Sequence, residues 1–251
     1  MAEHEGFQQL VAEVIREHRG ERVVSFEFQG KRYWLKQVEK LAGAMRLLKQ
    51  NSTHALHKEI DVLTELAKHG APVPAVVEVG DGYMVIEDAG ATIKELLAHD
   101  KAALWPNILN DVAIALARLH AMHFSHGRPA LRDISWQDGE VKFIDFEAHQ
   151  QDKSIVSQQV RDLLVFIHSL YRYIGPRNAL ISHAIDAYRC AGGEAIWQKA
   201  KQFLASWQWL YYFAWSFRYA GGKDLKPVYW VLWHFRQQDR LPCETKTKKA
   251  C

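Results

Sequence analysis

The sequence predicts an α+β fold in two lobes: a small antiparallel sheet with one packed helix over residues 1–90, then a mainly helical lobe over 91–251. Three observations lead there. Two short β-rich pairs of runs, joined at Gln29-Gly30 and at Asp81-Gly82, fall in the first third of the chain. One amphipathic stretch, residues 55–70, separates them, and beyond about residue 155 the apolar residues recur at helical period.

Taken in order, Phe7, Leu10, Val11, Val14 and Ile15 fall on one face of an N-terminal helix. The run VVSFEFQGKRYWLKQV then reads as a hairpin, and counting by two puts Trp34 and Arg32 on the face of Lys36. Leu56, Ile60, Leu63 and Leu66 mark the next helix, with Gly70 as its C-cap. AVVEVGDGYMVIED gives the second hairpin, and the lobe boundary is expected at residues 88–91. A short helix, TIKELLAHD, leads to a longer one over 106–122 with Pro106 at its start and Ile108, Val112, Leu116 and Leu119 on one face. A third hairpin turns at Gln137-Asp138-Gly139. The helical remainder is expected to break at Gly175-Pro176, Gly192-Gly193, Gly221-Gly222 and Pro227, and the tail ETKTKKAC to fray.

Composition excludes several classes. With 48% hydrophobic and 24% charged residues in 251, the chain has material for a substantial core, so disorder is ruled out. A net charge of +3 is not that of a dedicated nucleic-acid binder, and no nucleic-acid partner is expected. The three cysteines, Cys190, Cys243 and Cys251, show no CxxC or Cys/His spacing, so neither a disulfide framework nor a zinc site is expected. His120, His123 and His126, three apart, lack an acidic or Cys partner pattern. The charged N-terminus is not a signal peptide, which points to the cytoplasm, with the inner face of the cytoplasmic membrane as a second setting. Residues 203–217, FLASWQWLYYFAWSF, are too short for a bilayer span and read as a buried helix, contact with a membrane surface being the minor alternative.

Four stretches carry chemistry. FEFQGKRYWLK ends a strand on Lys36, and Glu59 follows on the next helix. GYMVIEDAG ends a strand at Glu87, Asp88 and Ala89. HGRPALRDISWQDGEVKFIDFE contains His126, Gly127, Arg128, Asp133 and Asp145, and VRDLLVFIHSL carries Asp162 among apolar residues. In this order the stretches resemble the protein-kinase-like superfamily, particularly its compact bacterial branch of lipopolysaccharide-core sugar kinases, small atypical kinases of the RIO kind and aminoglycoside phosphotransferases. The resemblance spans roughly residues 23–170.

It implies that Lys36 neutralises the phosphates of ATP and that Glu59 orients it. Backbone groups of Glu87, Asp88 and Ala89 would hold the adenine edge, and Asp133 and Asp145 would hold Mg²⁺. Asp162 has two readings: a buried acceptor for amides of the 126–133 loop, or a solvent-facing neighbour of Arg161. Two departures stand out. No GxGxxG loop precedes Lys36, and Arg128 occupies the position of the catalytic aspartate in HGDxxxxN. A guanidinium stays protonated and cannot accept the acceptor's proton. A shifted register, with Leu131-Arg132-Asp133 as the loop motif and Asp138 as its partner, conflicts with Asp138-Gly139 forming the next hairpin turn.

The function implied is ATP- and Mg²⁺-dependent phosphate transfer to a hydroxyl acceptor. A cell-envelope sugar or glycolipid comes first and protein Ser/Thr second, with His126 and Arg128 shaping the transfer site and His126 offered as a substitute base. The alternative is a pseudokinase serving as a nucleotide-binding regulatory module, with Arg128 as its mark. The aromatic C-terminal helices are read mainly as core, and otherwise as a face for glycolipid or membrane.

Overall fold

A computed structural model describes residues 2–38, 46–99, 102–146, 154–216, 218, 222 and 224–237. Among these, residues of 1–89 with Asp145 and Phe146 form one compact unit, and those of 90–144 and from 154 onward form a second.

The first unit contains α1 (Ala2–Glu17), β1 (Val23–Phe28), β2 (Lys31–Gln37), α2 (Arg46–Lys68), β3 (Val76–Gly80) and β4 (Tyr83–Glu87). The strands form one antiparallel sheet in the order β1-β2-β4-β3. Gln29 and Gly30 both take positive φ, 49° and 75°, which gives the turn the twist that two paired strands need. Along β2 the alternation sends Tyr33 and Leu35 inward, where they join Val24, Val85 and the α1 residues Phe7, Val11 and Val14 in one cluster. Thus α1 packs on the sheet in addition to the one helix expected there. Phe7 meets Tyr33 edge-on at 5.1 Å, the arrangement favoured by ring quadrupoles. In α2, Leu56, Glu59, Leu63 and Leu66 are buried along one stripe, so a carboxylate sits in the apolar face. The helix closes as expected at Gly70, with φ 71° and the Ala71 amide donating to the Leu66 carbonyl.

The second unit starts with α3 (Ile93–Ala98), whose Thr92 and Glu95 form a reciprocal capping box. It continues with α4 (Trp105–Ala121), the hairpin β5 (Ile134–Gln137) and β6 (Glu140–Phe143), and then α5 (Ile155–Ile174), α6 (Asn178–Tyr188), α7 (Glu194–Ala205), α8 (Trp209–Trp215) and α9 (Leu225–Gln237). Ile108, Val112, Leu116 and Leu119 of α4 are buried, as their spacing predicts, and face α6 and the hairpin. Trp197 stacks on Phe235 at 4.1 Å, tying α7 to α9. Among the described residues no helix is long and apolar enough to cross a membrane.

Several expectations need correction. Residues 203–217 are not one buried helix: α7 ends at Ala205, a turn intervenes, and Phe203, Trp207, Trp209, Tyr212, Phe213 and Trp215 are exposed. Apolar residues fall on every side of this stretch, and packing on one side leaves the rest in solvent. Pro227 does not break α9 but stands in its first turn, where a missing N–H costs nothing. The break expected at Gly192-Gly193, by contrast, is present: Gly192, with φ 109°, leaves helical geometry and kinks the chain between α6 and α7. Cys190 is disulfide-bonded, although the spacing of the cysteines predicts no disulfide framework, because proximity in the fold and not sequence spacing decides pairing. Gly221, Phe217, Tyr219 and the tail lie outside the described residues.

Candidate active site

The first unit builds a buried ion pair. Alternation on β2 puts Lys36 on the face opposite Tyr33 and Leu35, and its Nζ lies 2.5 Å from Glu59 Oε1 with the side chains 16% and 2% exposed. An unpaired carboxylate so deep in an apolar stripe would be strongly penalised, so Lys36 and Glu59 hold each other in place. On the same face of β2, Trp34 Nε1 donates to Asp88 Oδ1 at 2.6 Å. The amides of Glu87 and Asp88 donate to Ala75 O and Arg32 O, whereas among the described residues the Ala89 amide has no protein acceptor. Asp145 belongs to this unit and follows a strand with φ 66°, a left-handed conformation uncommon outside glycine and found where a functional geometry is imposed.

The second unit builds a loop hung from one carboxylate. Asp162, fully buried on α5, accepts from the amides of His126 at 2.6 Å and Gly127 at 2.8 Å, and from His120 Nε2 at 3.4 Å. This settles its two readings in favour of the loop anchor. Gly127 has φ 99°, which a side chain would strain, so the tight approach of the two amides needs glycine there. His126 is buried too: its Nε2 donates to Ile144 O at 2.9 Å and its Nδ1 accepts the Arg128 amide at 3.2 Å. With both ring nitrogens engaged inside the protein, His126 has no lone pair to offer a substrate proton. The expectation of a substitute base there is corrected: His126 positions the loop.

Beyond His126 the loop closes on itself through Ala130 N to Arg128 O and Asp133 N to Ala130 O, both 2.8 Å, and joins the end of β6 through Ile144 N to Asp133 O at 3.0 Å. Asp133 is nearly buried, and its Oδ2 lies 3.6 Å from Arg128 Nε and 3.4 Å from Arg132 Nε. Asp138 sits in the β5–β6 turn with φ 50°, followed by Gly139 at 92°. The turn therefore occupies the residues that a shifted loop register would require.

Sequence reasoning missed what stands behind the loop. His120 bridges Asp162 to Tyr188, whose hydroxyl donates to His120 Nδ1 at 2.7 Å. Burial, with the Asp162 charge adding to it, holds the Tyr188 phenol well above its usual pKa, so it stays a neutral donor. Gln159 Nε2 donates to the carbonyls of His120 and Phe124, and Ser169 Oγ accepts the Leu131 amide. The sequence signal that could have found this network is His120 itself, a polar residue four places after Leu116 and so on the buried face of α4.

The model of the APH phosphotransferase enzyme family matches residues 11–184. The chain belongs to that family. It is thus a kinase-like phosphotransferase of the protein-kinase-like superfamily, as the order of its elements implied. Among curated relatives, an uncharacterized protein of Haemophilus influenzae is 35% identical over 231 residues, 91% of this chain and 96% of that protein. A homoserine kinase of Burkholderia thailandensis is 30% identical over 140 residues, 50% of this chain and 42% of that enzyme. A probable bifunctional tRNA threonylcarbamoyladenosine biosynthesis protein of Natronomonas pharaonis is 29% identical over 183 residues, 72% of this chain and 33% of that protein. Among solved structures, the crystal structure of WbdD aligns with a TM-score of 0.45 at 17% identity, covering 72% of this chain and 49% of that one.

Phosphotransferases of this family use a nucleotide, and phosphoryl transfer ordinarily employs a divalent cation to offset the charge of the phosphates. Asp133 and Asp145 each carry the hard carboxylate oxygens that Mg²⁺ prefers as ligands. Among the described residues no three His, Cys, Asp or Glu side chains converge on one point. Mg²⁺ asks for less than such a cage, since it takes one or two carboxylates and completes its shell from phosphates and water.

Proposed function

We propose that this phosphotransferase moves the γ-phosphoryl group of ATP to a hydroxyl of a cell-envelope sugar or glycolipid, with Mg²⁺ as cofactor. The acceptor oxygen forms a bond to the γ-phosphorus, the bond from that phosphorus to the β–γ bridging oxygen breaks, ADP leaves, and the hydroxyl proton passes to an oxygen of the transferred group. The buried Lys36–Glu59 pair carries the reading: a buried ion pair adds little net stability, so a task for the ammonium on an anion accounts for its presence there. In the proposed assignment Lys36 neutralises α- and β-phosphate oxygens and Glu59 fixes its direction. The free amide of Ala89, with carbonyls of Glu87 and Asp88, reads the adenine edge. Asp133 and Asp145 hold Mg²⁺, which when bound offsets charge on the phosphates.

Arg128 works by charge. It steadies Asp133 together with Arg132 and faces the anionic group during transfer. Without a general base the rate forgoes a factor of about 10² to 10⁴, which phosphoryl transfer tolerates because positioning and charge neutralisation dominate it. The acceptor class is supported by the exposed Trp and Tyr rings of residues 207–215, which suit sugars and lipid headgroups.

One observation favours a second reading, the pseudokinase: Asp133 Oδ2 is already engaged by two guanidinium groups. The test is transfer of label from γ-labelled ATP into cell-envelope and soluble-protein extracts, comparing wild type with Asp145→Asn. Label in the envelope fraction that vanishes in the variant supports the proposal. Mg²⁺-dependent ATP binding with no label in either extract supports the pseudokinase instead.

A further inference from the structure

We infer that the second unit holds the hydrocarbon chain of an anionic lipid in a cavity that the catalytic loop helps to line. The cavity measures about 720 Å³ and lies among α5, α7, α8 and α9, where Leu164, Val165, Phe203, Leu210, Val231 and Leu232 present their side chains to it. Gly127, held by Asp162, forms part of its wall. A ligand filling it therefore touches the backbone of the loop that carries Arg128 and Asp133.

Charge selects the occupant. Arg161 and Lys199 line the same cavity, and among the described residues neither has an acidic partner. His168 adds a third basic side chain, its Nε2 placed 3.1 Å from Asp224 O. An apolar interior with unpaired cations calls for an amphiphile whose head is negative. Trp207, on the cavity wall, begins an aromatic patch with Trp209, Tyr212, Phe213 and Trp215, each between 45% and 68% exposed. Aromatic rings exposed in this way, with Arg218 stacked on Trp215 at 3.9 Å, match the composition of surfaces that rest at a membrane–water boundary.

A peptide fits less well, because it would bring amides into a hydrocarbon lining that has few partners for them, whereas an acyl chain brings none. The acyl chain also suits the proposed acceptor, since it would fix a glycolipid headgroup at the transfer loop. In that step the inference rests on the phosphotransferase reading, while lipid binding itself does not.

The test titrates the full chain, without nucleotide, with palmitoyl lysophosphatidylglycerol below its micelle-forming concentration, followed by calorimetry and by Trp emission. Palmitoyl lysophosphatidylcholine and the glycerophosphoglycerol headgroup are the controls. Expected are saturable binding of the anionic lipid, weaker binding of the zwitterionic one and none of the headgroup alone. Val165→Trp, which fills the cavity, should abolish binding. Lys199→Glu, at an exposed position that folding tolerates, should weaken the anionic lipid about five-fold or more, following about 1 kcal/mol for each basic residue near such a headgroup.

No saturable binding by wild type, or equal affinity in Lys199→Glu, overturns the inference. So does a wild-type dimer in sedimentation that Val165→Trp dissociates, which would make a second copy the occupant. Lipid binding without phosphate transfer overturns only the phosphotransferase reading, and transfer without lipid binding overturns only this one.

Discussion

Replacing Asp162 with asparagine tests the suspension of the loop. The carboxylate accepts two buried amides, from His126 and Gly127, and the ring of His120. Asparagine offers one oxygen and an NH₂ group, so one of the two amides keeps an acceptor and the other faces a donor. Losing a hydrogen bond to a charged group costs about 1.5–3 kcal/mol, and leaving the amide buried and unsatisfied adds about 1–3 kcal/mol, for a total of about 2.5–6 kcal/mol. At about 2–4 °C per kcal/mol in a chain of this size, Tm should fall by about 10 °C. Urea unfolding and calorimetry give the loss, and hydrogen exchange at the Gly127 amide locates it. Asp138→Asn is the control, since asparagine tolerates the positive φ of that exposed turn and should change stability by less than about 0.5 kcal/mol. An Asp162→Asn protein as stable as the Asp138→Asn control would refute the reasoning.

Glu59→Gln leaves the Lys36 ammonium beside a neutral amide at a largely buried position, so urea unfolding of the first unit should show a loss of about 3 kcal/mol, and an unchanged midpoint would contradict the pairing. Arg128→Asp sets a second carboxylate against Asp133 in place of an attraction, and phosphate transfer should fall; a rise would mean that the position is a degenerate base site. Hydrogen bonds from the Thr92 backbone and side chain hold the Glu95 carboxyl below its ordinary pKa. A folded pKa that is depressed contributes stability above the unfolded value, about 4.3, and loses it as pH falls through the folded value. Thr92→Ala should therefore cost about 0.5–1 kcal/mol at neutral pH, and the difference from wild type should shrink in acid; a difference constant with pH would contradict the cap.

Local chemistry made much of the fold legible. The Gln29-Gly30, Asp81-Gly82 and Asp138-Gly139 turns, the Gly70 cap and the α4 stripe follow from short-range geometry that sequence expresses directly. Asp162 was legible only in part: its apolar neighbours made the loop amides one of two readings, and the hydrogen bonds to His126 and Gly127 decide between them. What sequence did not express depends on partners distant in the chain. His120 joins Asp162 and Tyr188 across 42 and 68 residues, and both nitrogens of His126 are taken by Ile144 and Arg128. The aromatic run at 203–215 looked like core because its rings are apolar on every side; which of them are covered depends on how α8 meets α9. Pro227 is silent on its own, breaking a helix from the middle and starting one from the first turn.

The most direct test of the account is ADP production by the purified chain over time, with MgATP and a cell-envelope extract as acceptor, comparing wild type with Lys36→Met. The account predicts many turnovers for wild type and a fall of about 10²-fold or more in the variant, the usual effect of removing a preorganised charge that stabilises the transferring group. ATP that binds wild type but turns over no faster than with Lys36→Met would contradict it.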